Sequence, residues 1–230
     1  MTAMTEAATP GPNASTIHMI RVWDPLVRVF HWGLVAAFSL AWLTADEVQP
    51  VHELAGYTVA GLVAFRVVWG LVGGRYARFA RFLASPRRTL AYLGDMRRGT
   101  ERRYIGHNPA GAAMIVALLV TLSGTALTGW LMDEPARLAM ASDLPRVVAP
   151  AWADDDGDGD DGDEDGHAPA EHSEADGLLK EVHETLATLM LVLAALHVGG
   201  VVLASVRHHE NLARAMVTGE KRAPGPDDIA

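Results

Sequence analysis

Residues 182–206 read VHETLATLMLVLAALHVGGVVLASV, and this stretch decides the fold. It is long and apolar enough to cross a bilayer as a single helix, which takes about 20 residues. His183 and His197 interrupt it fourteen residues apart. At 3.6 residues per turn, the second imidazole returns to within roughly 40° of the first, about 21 Å further along the axis. One helix therefore offers two imidazoles on one face, one near each membrane surface. A helix that carries axial ligands for two stacked haems has this form. The plainer reading of a buried histidine is a satisfied core group, but ionisable side chains inside a membrane are costly and are usually there for function.

Two more histidines repeat the pattern. His31 lies at the start of FHWGLVAAFSLAWLTA and His52 opens HELAGYTVAGLVAFRVVWGLVGG, with a short turn around Asp46 to Pro50 between them. Half of the residues are hydrophobic, which suits a small integral membrane protein. Four spans are expected, at about 29–45, 53–73, 109–131 and 182–206. The fold class is all-α, an integral membrane four-helix bundle. No basic segment followed by an apolar run stands at the start, so no cleaved signal is expected. Residues 1–17 read as a disordered tail, and so do 223–230.

Cysteine is absent. That excludes thiolate metal sites, iron–sulfur clusters and covalent haem attachment. Any haem here is non-covalent, hence b-type, with ligands that come largely from the histidines.

Arginine sets the expected orientation. The segment Arg75 to Arg103, within a loop at 74–106, carries nine arginines, and the turn between spans one and two has neither Lys nor Arg. The positive-inside rule puts both termini and this loop in the cytoplasm. Topology and headgroup contacts account for most of these arginines. The opposite loop, 133–180, is acidic, with DDDGDGDDGDEDG at Asp154 to Gly166. The net charge of −9 arises mainly there, so it carries no message about nucleic acid, and no nucleic-acid partner is expected. The run reads as solvated chain, as a docking patch for a basic partner, or as a weak match to the start of a calcium loop at Asp154, Asp156, Asp158 and Gly159, with Asp165 where Glu is usual.

With this topology the depths sort themselves. His31 and His197 lie near the cytoplasmic face; His52 and His183 lie near the periplasmic face. The expected ligand pairs are therefore His52 with His183 and His31 with His197, holding two b haems one above the other. Gly33, Gly56, Gly61, Gly199 and Gly200 either make room for the macrocycles or serve close helix packing. Arg66 follows His52 by fourteen residues and returns to its face. A haem propionate is one partner for it; snorkelling to the headgroups is the other reading.

The stretches RVWDPLVRVFHW, HELAGYTVAGLVAFRVVWGLVG, GHNPAGAAMIVALL and HETLATLMLVLAALH resemble the bacterial cytochrome b561 family, which is related to the cytochrome b subunits of nickel–iron hydrogenases and formate dehydrogenases. The family's ligand positions fall on His31, His52, His183 and His197. The resemblance implies an inner-membrane dihaem protein that exchanges electrons with quinone and with a redox partner such as a c-type cytochrome. Some relatives oxidise superoxide and others anchor a larger oxidoreductase, and both stand as alternatives. The acidic insertion departs from shorter members and would repel an anion such as superoxide. His107 and Asn108, in Gly106-His107-Asn108-Pro109, open span three. They read either as part of a quinone site or as a helix cap with Pro109 in the first turn. His107 is also a fifth potential ligand, an alternative to His31. His208 and His209 read as solvated, and His167 and His172 sit in the acidic loop.

Overall fold

The computed structural model describes residues 18–133 and 168–229, with the backbone alone at 168–176. The tail at 1–17 and the acidic run at Asp154 to Asp165, with its calcium-loop and docking readings, lie outside the described residues.

Four long helices are apolar enough to cross a membrane. The first, α1 (Pro25–Thr44), starts where Asp24 accepts the Val27 amide at 2.9 Å and Pro25 takes the first turn, a position where proline's missing N–H costs nothing. The second, α2 (Gln49–Val72), likewise has Pro50 in its first turn. Two short elements follow, α3 (Phe79–Phe82) and α4 (Pro86–Arg98), the latter ended by Gly99 at φ 72°. The third long helix is α5 (Pro109–Met132), and the fourth is α6 (Ala168–Arg207). A final turn of helix, α7 (Leu212–Thr218), ends at Gly219. Strands β1 (Met19–Arg21) and β2 (Glu220–Arg222) pair antiparallel, Ile20 opposite Lys221.

Helix α6 begins at Ala168, so residues 168–180, expected as loop, are helical. They are too polar to show the apolar pattern by which a helix is read from sequence. The expected disorder at 223–230 is not met over 223–229. The Ala223 amide donates to His18 O, and Ile229 N–H donates to Arg103 O at 2.9 Å.

Contacts run from α1 to α2, from α2 to α5, and from α5 to α6. At mid-depth Ala37, Val59, Val63, Leu122 and Met190 form an apolar core that joins all four long helices. Around it, large apolar side chains such as Val29, Leu43, Leu54, Leu71, Val120 and Leu189 are exposed. A soluble monomer seldom leaves so much apolar surface uncovered; a helical bundle in lipid does, because its backbone polar groups are satisfied within each helix.

The arginine-bearing segments gather at one end as a collar. Val22, Trp23, Ile105 and Ala215 form its core. Arg103, 4% exposed at its side chain, binds Glu210 through two nitrogens, at 2.8 and 3.3 Å, and also pairs with Asp228. Lys221 lies 3.4 Å from Glu210 and donates to Ile105 O and Tyr104 O. Buried charge is tolerated only when it is paired and hydrogen-bonded in this way.

Candidate functional site

Two imidazole pairs face each other across the bundle. The ring centres of His31 on α1 and His197 on α6 are 6.4 Å apart. Those of His52 on α2 and His183 on α6 are 6.2 Å apart. All four residues are half-buried. The pairs flank the mid-depth core, His31–His197 toward the collar and His52–His183 toward the opposite end.

These distances can be tested against a metal between the rings. A metal–imidazole bond is about 2 Å, and the donor nitrogen lies about 1.1 Å from its ring centre, so a shared metal needs a centre-to-centre distance of about 6 Å. Both pairs meet this. Among the described residues no group of three or more His, Asp or Glu is placed to hold a bare ion. Two imidazoles alone suit a metal that brings its other ligands with it, as iron in a porphyrin does.

The helices are not tightly packed on one another beside these histidines. Helix α6 packs along α5 and makes no extended contact with α1 or α2, although its histidines face theirs. A Cβ placed on Gly56, Gly61, Gly199 or Gly200 would meet nothing within 4 Å. Tight helix packing therefore does not explain these four glycines. Gly33 does touch a neighbour, with Leu62 at 3.6 Å.

Hydrogen bonds orient the second pair. His52 Nδ1 lies 2.8 Å from the Ala41 carbonyl, which can only accept, so Nδ1 carries the proton and Nε2 keeps a lone pair free to ligate. His183 Nδ1 lies 3.0 Å from Thr128 Oγ1. In the first pair, His31 Nδ1 is buried with no hydrogen-bond partner. Neither Thr128 nor the Ala41 carbonyl is visible to a sequence reading. A threonine in an apolar helix reads as bonding to its own backbone, which Thr128 also does.

Arg66 is 3% exposed, and its guanidinium carbon lies 4.7 Å from the centre of the Phe79 ring. Gly70 permits this, because a Cβ there would fall 2.0 Å from Phe79 Cε2. Arg66 Nη1 is buried without a partner. The arginine therefore does not reach out to headgroups, and one of its nitrogens awaits an acceptor.

His107 lies 4.6 Å from Trp23 and 4.5 Å from Phe82, centre to centre. Burial pushes its imidazole down to about 3, with Arg66, Lys221 and His197 acting the same way, so the ring is neutral. It also lines a cavity of about 230 Å³ with Tyr76, Arg81, Phe82, Arg88 and Tyr104. Among the described residues the rings packed on His107 are those of Trp23 and Phe82, whereas the ring facing His197 at 6.4 Å is that of His31. Asn108 is the cap of α5: its side-chain oxygen accepts the Gly111 amide at 2.7 Å, and it is not among the residues lining the cavity. His209 is exposed, whereas His208 is half-buried rather than solvated.

A family model, prokaryotic cytochrome b561, matches residues 22–219. No curated protein and no solved structure matches the chain. The matched region holds all four long helices and all four facing histidines, and the chain belongs to the prokaryotic cytochrome b561 family. It is a membrane b-type cytochrome of electron transfer.

Proposed function

We propose that this prokaryotic cytochrome b561 holds two b haems, one between His31 and His197 and one between His52 and His183, and carries electrons across the inner membrane between the quinone pool and a redox partner. The observation that carries this reading is the pair of ring separations, 6.4 and 6.2 Å, each with room for one metal between two imidazoles. Bound there, haem supplies one-electron chemistry at iron. The chain's own residues ligate it, hold the two sites apart and keep water away. The apolar core around Ala37, Leu122 and Met190 separates the pairs. Arg66 Nη1, buried and unpartnered, suits a propionate of the haem on the collar side.

Quinone is assigned to the cavity beside His107, where an imidazole, two tyrosines and arginine offer donors to its carbonyl oxygens and Phe82 offers an aromatic wall. Asn108 contributes there by fixing the start of α5. The arginine distribution supports a cytoplasmic collar and cytoplasmic termini. The acidic sequence Asp154 to Asp165 suits a basic partner such as a c-type cytochrome.

A reduced-minus-oxidised spectrum with haem quantitation on the purified protein tests the reading. Two b haems per chain, both reduced by a quinol, are expected. One haem or none per chain, or indifference to quinol, would overturn it.

A further inference from the structure

We infer that Thr128 is a positioning residue for His183, holding its imidazole as the Nδ1–H tautomer and thereby lowering the midpoint potential of the haem carried by His52 and His183. This rests on the dihaem reading above.

The argument begins with the hydroxyl. Thr128 Oγ1 lies 3.0 Å from Gly124 O and 3.0 Å from Thr125 O, either of which can accept its one proton. With its proton on a carbonyl, Oγ1 keeps its lone pairs for the 3.0 Å contact with His183 Nδ1, and an imidazole that ligates through Nε2 carries its proton on Nδ1 and donates it there. Thr128 is 8% exposed, so water does not compete for this bond. The adjacent residue makes the approach possible: a Cβ on Gly129 would lie 3.1 Å from His183 Cε1. Thr128 and Gly129 together seat α5 against the ring.

A hydrogen bond from the non-coordinating nitrogen raises the basicity of an imidazole ligand. A more basic ligand favours ferric over ferrous iron, which lowers the potential. His52 receives the same support from Ala41 O, while His31 Nδ1 has no partner. The supported haem is therefore the one between His52 and His183; the Thr125 backbone also bonds to the His183 ring, and Thr128 is the part of that support a side-chain substitution can remove.

The test is a redox titration of purified haem-loaded protein, followed by absorbance, for wild type, Thr128→Val and Thr128→Ser. Valine keeps the shape and loses the acceptor; serine keeps the acceptor. Thr128→Val is expected to raise one midpoint by a shift on the order of tenfold in the ferric–ferrous equilibrium, about 59 mV for one electron. The other midpoint should stay, and Thr128→Ser should match wild type. Repeating the pair in a His197→Ala background assigns the shift to the His52–His183 haem. Unchanged midpoints in Thr128→Val with both haems bound would overturn the inference, as would equal shifts in the two variants. Loss of that haem from Thr128→Val with retention in Thr128→Ser supports it; loss from both overturns it. Absence of haem from the wild type would instead overturn the dihaem reading, before any variant is made.

Discussion

His31 and His197 come from helices that make no extended contact, yet their rings stand 6.4 Å apart and face each other. The helices are linked in a row, α1 on α2, α2 on α5 and α5 on α6. If the space between the rings belongs to an iron, each ring is one of only two protein bonds to it. Replacing His197 by Ala is then expected to remove the collar-side haem and spare the other, and His183→Ala to do the reverse. Haem per chain should fall from two to one in each case, with two distinct residual spectra. Both haems at full occupancy with native spectra in either variant would refute the pairing.

The four spans and the approach of the His31 ring to His197 and of the His52 ring to His183 are legible in the sequence because helix period and apolar length are local. The collar is not legible in that way. Arg103, Glu210, Lys221 and Asp228 come from separate polar segments, and nothing in their local pattern announces that they meet. For the same reason 223–229 reads as a tail. Asn108 was legible as a cap because Asn before Pro is a local signal. Thr128 was not, since its role depends on a ring carried by another helix.

The arginine distribution predicts the sidedness. A reporter fused within residues 87–103 is expected to be cytoplasmic, and one fused within residues 154–165 periplasmic. The opposite pattern would exchange the sides of the two haems and leave the pairing intact.

Arg66 separates two kinds of buried cation. With a propionate as partner for Nη1, Arg66→Gln should weaken retention of the His31–His197 haem, while Arg66→Lys keeps part of it. Haem loss during detergent heating, followed for each haem, measures this. Equal retention in wild type and Arg66→Gln would leave the Phe79 contact as the whole of the residue's role.

The collar gives a pH dependence whose sign is fixed by its carboxylates. Burial alone would raise Glu210, but the Arg103 hydrogen bonds and the Lys221 charge outweigh it and hold the group below the usual carboxylate range. At Asp228 burial is likewise outweighed, by the Gly225 amide and Arg103. A carboxyl lowered on folding contributes stability that is complete above its unfolded value, about 4, and is lost as pH falls through the folded value. The collar should therefore hold at neutral pH and open on acidification below about pH 4. Arg103→Met removes the arginine that both carboxylates share, and breaking a buried pair in this way costs about 3–5 kcal/mol. Hydrogen exchange over residues 220–229, corrected for the intrinsic effect of pH, reads both effects. Protection should drop in Arg103→Met at pH 7 and in wild type on acidification, and the acid step should shrink in the variant because the bonds it breaks are already gone. An acid step of the same size in both proteins would show that the network does not hold the C-terminal segment in place.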